Sequence, residues 1–101
     1  MANAFVVTAS ALRRLAEELR ELNSQYKTKV ETLAALEQEL RGMWEGEANL
    51  AFQKAFATDK VSLDNFYAVI EKYIQALLAA AAEYERAEQQ ATQTATTRTY
   101  R

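Results

Sequence analysis

Apolar residues recur every three or four positions along the first half of the chain. Leu12, Leu15, Leu19, Leu22, Tyr26, Leu33, Leu36, Leu40 and Met43 form one run. Lys29 is the single polar member of that run, and Val30 stands beside it, able to take over the contact. A three-four alternation sustained over several heptads predicts an amphipathic helix that packs along a seam. Arg13, Glu17, Glu21, Lys27, Glu31 and Gln38 fall on the opposite face, which should be solvated. Arg13 and Arg20 lie near Glu17 and Glu21 there, a local pairing worth little. Thr8 precedes the run as an N-cap, because its hydroxyl can accept a free amide of the first turn. Val7 and Leu12 are placed for a hydrophobic staple, while Ala11 leaves the capping box without its Glu.

The pattern breaks at Gly42-Met43-Trp44-Glu45-Gly46-Glu47, a stretch holding both glycines and the only Trp. It restarts at Ala48 as Phe52, Phe56, Leu63, Phe66, Ile70, Tyr73, Leu77, Ala80, Tyr84 and Ala87, with Asp59 as the polar member. A second stripe of Tyr67, Ile74, Leu78 and Ala81 widens the apolar face. One partner helix covers a narrow seam, but a stripe this wide needs a further surface.

These patterns predict an all-α fold, an antiparallel helix-turn-helix hairpin over residues 1–90. Helix 1 should span about 8–42, the turn 43–47 and helix 2 about 48–88. Its seam comprises Leu15, Leu19, Leu22, Tyr26, Leu33, Leu36, Leu40, Phe52, Phe56, Leu63, Phe66, Ile70 and Leu77. A lone hairpin leaves the outer part of both stripes wet, and contiguous exposed apolar patches mark interfaces. Two hairpins packed face to face close the stripe as a four-helix bundle, so a dimer is expected, with homodimer and heterodimer both open. If the chain reverses at Glu45, Lys29 lies 16 residues before it and Asp59 lies 14 after it. The axial offset is about 3 Å, so Lys29 and Asp59 are expected to meet and fix the register. The alternative is that both reach solvent from the seam's edge. From Gln89 the large apolar residues stop and Thr becomes frequent, so residues 91–101 are expected to form a flexible tail. With no Gly there, the helix has room to run a turn or two further.

Composition narrows the chemistry. The 101 residues include no Cys, His or Pro, and half are hydrophobic. Without Cys there are no disulfides or thiolate metal sites, and without His the commonest general base and metal ligand are gone. Carboxylates are scattered over solvent faces, with no nucleophile, phosphate loop or metal cluster, so neither an enzyme, a metal nor a cofactor is expected. The net charge of −2, with both signs interspersed, offers no basic face for nucleic acid. No apolar run approaches the roughly 20 residues that span a bilayer. The start, Met1-Ala2-Asn3-Ala4-Phe5-Val6-Val7, lacks a basic region and is too short in apolar length for a secretory signal peptide. The expectation is a cytoplasmic protein, or one exported by a route that reads no such signal.

Trp44-Glu45-Gly46 sits mid-chain between heptad-patterned helices and continues as Glu47-Ala48-Asn49-Leu50-Ala51-Phe52. Near the end of helix 2 stands Tyr84-Glu85-Arg86-Ala87-Glu88, an aromatic and a carboxylate four apart and so on one side of a helix. Together with the chain length, these features resemble the WXG family of ESAT-like proteins, substrates of type VII secretion. Tyr84 and Glu88 are similar to that family's Tyr-X-X-X-Asp/Glu export signal. The resemblance covers residues 1 to about 90. It implies a non-enzymatic helical hairpin, exported as a folded dimer without a cleaved signal peptide and cytoplasmic before export. It also implies that Trp44 and Gly46 of one subunit and the Tyr84–Glu88 tail of the other form a composite signal. The receptor implied is a membrane ATPase with FtsK/SpoIIIE-like domains. Members from Gram-positive bacteria are often homodimers and mycobacterial pairs often heterodimers, which leaves the pairing open. The protein is then a secreted substrate or the helper of a larger effector. The competing reading is an intracellular helical oligomerisation module with no export role.

Overall fold

The chain, seen in a computed structural model, is described over residues 7–99, with side chains described for residues 7–94. It has two helices, α1 over Ala9–Met43 and α2 over Glu47–Thr99. Thr8 caps α1: its Oγ1 accepts the amide of Ala11 at 3.0 Å, and its carbonyl accepts that of Leu12 at 3.0 Å. Trp44-Glu45-Gly46 link the helices, so Met43 and Glu47, expected in the turn, are helical instead. Glu47 suits the first turn of α2, where a carboxylate meets the positive end of the helix dipole. Gly46 has φ 109°, a conformation that residues with a Cβ rarely adopt. A Cβ placed there would meet nothing within 4 Å, so the glycine is needed for its backbone angle and not for space.

Helix α2 continues to Thr99 rather than ending near residue 88. No Gly or Pro interrupts it, and the alanines and glutamines offset the weak propensity of the threonines. Of the segment expected to be a flexible tail, residues 100 and 101 lie outside the described residues.

The chain forms two compact units, each containing part of both helices. In the unit of residues 20–72, Val30 is the buried apolar residue. Tyr26 donates its hydroxyl to the Leu63 carbonyl at 2.9 Å and meets the Phe66 ring edge-on at 5.4 Å. Asn23 is buried there, and its amide donates to the Tyr67 carbonyl at 3.2 Å and the Glu71 carboxylate at 2.8 Å. These bonds satisfy a polar group that burial would otherwise penalise. Glu37 is also buried and accepts two bonds from Arg41, one turn on. In the other unit, the described residues 7–19 pack with residues 73–99. Ala9, Ala16, Ile74 and Ala81 are buried there, and Ile74 is wholly enclosed.

The structure divides the seam residues into two sets. Leu19, Tyr26, Leu40, Phe56, Leu63, Ile70 and Leu77 are half-buried between the helices. Leu15, Leu22, Leu33, Leu36, Phe52 and Phe66 are exposed. The inner line of α1 is completed by Ala9, Ala16, Asn23, Val30 and Glu37, each seven residues from the next. Small and polar residues stand on that line because close helix approach favours Ala, and because Asn23 and Glu37 find partners. Val30, and not Lys29, takes the buried position. Lys29 and Asp59 are both exposed, and among the described residues no ion pair joins them. Register in this unit is carried instead by Asn23 on Tyr67 and Glu71 and by Tyr26 on Leu63.

Candidate functional site

Two local arrangements hold the residues that the sequence singled out. The first is the turn. Trp44 is half-buried, with its ring 5.7 Å from that of Phe52 and tilted by 57°. Phe52 sits two helical turns along α2 from the link, so the aromatic pair closes this end of the residue 20–72 unit. Gly46 starts α2, its carbonyl accepting the amides of Asn49 at 3.2 Å and Leu50 at 3.3 Å. Asn49 is buried beside them, and its side-chain amide donates to the Trp44 carbonyl. That bond fixes the backbone that carries the indole. The Asn49 Oδ1 has no hydrogen-bond partner among the described residues, an uncommon state for a buried acceptor. Next to the turn, Leu33, Leu36, Glu37, Leu40, Phe52 and Phe56 line an apolar groove of about 160 Å³.

The second arrangement is the stretch from Tyr84 to Glu88. Tyr84 is partly exposed, and Glu88 lies one turn on along the same helix. The Glu88 carboxylate accepts the amide of Ala9, the first residue of α1, at 3.4 Å. A carboxylate is favoured at a helix start, where free amides point outward. Between the two, Glu85 receives both guanidinium nitrogens of Arg13, at 2.6 Å and 3.3 Å. Those bonds to Arg13, and then its charge, hold the Glu85 carboxyl below its ordinary range. The same pairing raises Arg13, with a smaller contribution from the Glu88 charge. Arg86 pairs with Glu83 on the outer face.

Sequence reasoning singled out Trp44, Gly46, Tyr84 and Glu88 but passed over Asn49, Glu37 and the Arg13–Glu85 pair that surround them. Arg13, assigned from the sequence to local pairing on a solvated face, reaches a residue 72 positions away. No local spacing signals such a contact. Asn49 carried a fainter signal, an Asn in the first turn of a helix, where its side chain readily bonds nearby backbone. Among the described residues, no helix is long and apolar enough to cross a membrane.

Residues 5–89 match the family model WXG100, described as proteins of 100 residues with WXG. No curated protein matches the chain. Solved structures do. A secreted protein ESXB from Bacillus anthracis str. Sterne is 17% identical with a TM-score of 0.76, over 86% of this chain and 99% of that one. EsxA from Geobacillus thermodenitrificans, crystal form I, is 24% identical with a TM-score of 0.75, over 89% of this chain and 97% of that one. At these identities the likeness establishes the fold, a helical hairpin.

Proposed function

The chain belongs to the WXG100 family, and on that premise we propose that it is a small non-enzymatic protein exported by a type VII secretion system. It leaves the cell as a folded dimer, as a substrate or as the helper of a larger effector. The observation that carries this reading is the family match over residues 5–89 with Trp44-Glu45-Gly46 as the link between two long helices. The relative from Bacillus anthracis is itself a secreted protein, which supports the same reading.

The outer face of the hairpin supports the dimer. Leu22, Leu36 and Met43 stand fourteen and seven residues apart on one side of α1 and keep 60%, 56% and 72% of their surface exposed. Leu36 and Phe52 line one groove, so the stripes of the two helices meet on one side of the residue 20–72 unit. An apolar face of this kind is stabilised by a second hairpin. A second copy of this chain would supply such a surface. Heterodimerisation with another protein of the family is the other arrangement such a face supports.

In the dimer, Trp44 and Gly46 of one subunit and Tyr84 and Glu88 of the other make the composite export signal. The reader of that signal is an FtsK/SpoIIIE-like membrane ATPase. The protein is cytoplasmic before export. The test compares tagged protein in culture medium from the native host and from a strain lacking the secretion ATPase. Export in the first and not in the second is expected. Absence from both media would instead indicate an intracellular helical oligomerisation module.

A further inference from the structure

The ends of α2 differ in how they are held. Among the described side chains of α2, Ala81 is the last buried one, and every one from Ala82 to Thr94 is exposed. The stretch carrying Tyr84 and Glu88 therefore has no fully buried apolar anchor, and its large apolar side chain, Tyr84, keeps 43% of its surface exposed. A helical segment with little apolar burial is marginal in water, so polar ties contribute to holding it in place. Two such ties are present. Arg13 forks onto both oxygens of Glu85, and the Glu88 carboxylate accepts the Ala9 amide. Arg13 stands one turn along α1 from Ala9, so both ties fall on the start of the same helix. The planar guanidinium makes two near-parallel bonds to a carboxylate, which fixes orientation as well as distance. Arg14, next in sequence, pairs among the described residues along its own helix, with Glu18.

We propose that Arg13 is a positioning residue for the export signal, holding the Tyr84–Glu88 turn helical and docked on the start of α1 through Glu85. Tyr84 is then held partly exposed, on the side of α2 that carries Glu88, and the Glu88 carboxylate stands at a defined place beside the first amide of α1. The secretion receptor meets a preformed pair of groups rather than a frayed helix end. A receptor whose target is only partly ordered binds it more weakly by the ordered fraction. The proposal rests on the export reading above, and the test separates the two.

Arg13→Gln, Arg13→Glu, the swap Arg13→Glu with Glu85→Arg, and the control Arg14→Gln are expressed as tagged full-length chains in the native host and its ATPase-deficient strain. Because the Arg13–Glu85 pair is solvent-exposed, these variants should keep the melting midpoint and native mass of the wild type. Secretion of both single Arg13 variants should fall by up to about five-fold, the most expected when an exposed tie sets the ordered fraction. The swap should restore secretion to within about two-fold, and Arg14→Gln should match the wild type. Hydrogen exchange on the purified proteins gives a readout that needs no secretion. The amides of residues 82–90 should exchange faster in Arg13→Gln and return to wild-type rates in the swap. Wild-type secretion by Arg13→Glu, or a swap as defective as the single variants, would overturn the proposal. If the wild type is not secreted at all, the export reading fails, and unchanged exchange in Arg13→Gln would then dispose of the clamp as well.

Discussion

Replacing Leu22 and Leu36 together with Ala should separate the dimer while leaving each hairpin folded. Full burial of a Leu side chain stabilises by about 1.5–3 kcal/mol. Leu36 keeps 56% and Leu22 keeps 60% of its surface in the single hairpin. Roughly half of that stabilisation, about 1–1.5 kcal/mol per side chain, thus remains for a partner to supply. A two-fold symmetric dimer uses each position twice. One substitution should therefore weaken association by about 2–3 kcal/mol, or about 30- to 150-fold in Kd. Leu22 and Leu36 are four helical turns apart, so the two effects should add, to about a thousand-fold or more. Sedimentation equilibrium over a micromolar range measures the change, and circular dichroism checks that helicity is kept. Val61→Ala is the control: Val61 is 59% exposed but lies off the stripe of Phe52, Asp59 and Phe66. A wild type that is monomeric at micromolar concentration would refute the reasoning. So would a double variant whose Kd stays within a few-fold of the wild type, because the exposed stripe would then have another use.

Ile74 is fully enclosed, and Ile74→Ala should cost about 2–5 kcal/mol, lowering the melting midpoint by at least about 8 °C in a thermal scan. Gly46→Ala should cost about 1–3 kcal/mol by denaturant titration through backbone strain, since the space around it is open. A cost near zero would show that the turn relaxes to a negative φ. Trp44→Ala, Tyr84→Ala and Glu88→Ala should each abolish secretion, the two tail variants with helicity and native mass unchanged; normal secretion of Trp44→Ala would remove the turn from the signal. The Glu85 carboxyl is held below its ordinary range by Arg13, so the Arg13–Glu85 tie is complete at neutral pH and is lost as pH falls through the lowered folded value. Arg13 stays charged throughout. Exchange of the residue 82–90 amides should accordingly rise, relative to the intrinsic rate, only below the usual carboxylate range.

The heptad spacing, the absence of Pro and the two glycines at mid-chain were enough to establish two long helices and one sharp reversal. Trp44-Glu45-Gly46 and the four-residue step from Tyr84 to Glu88 were legible too, because both motifs are local. What the spacing did not reveal was which apolar line faces inward. Hydrophobicity favours the leucines, so Leu15, Leu22 and Leu36 read as seam. The hairpin instead buries Ala16, Asn23, Val30 and Glu37, and leaves those leucines outside. Close helix approach rewards small side chains, and a polar one is tolerated inside once another element supplies its hydrogen bonds. Tyr67 and Glu71 do so for Asn23, and no pattern within α1 could announce it. The same holds for Lys29 and Asp59. Their matched distance from the turn is a fact of sequence, but the rotation of each helix about its axis decides whether they meet. Arg13 and Glu85 make the converse case, a contact across 72 residues between groups that looked merely solvated. Sequence by itself determined the helices, their reversal and the motifs they carry, because those depend on neighbours a few residues apart. The inward faces, the burial of Asn49 beneath the turn and the tie of the Tyr84–Glu88 segment to α1 were decided by tertiary structure, because each depends on a partner that only the fold brings near.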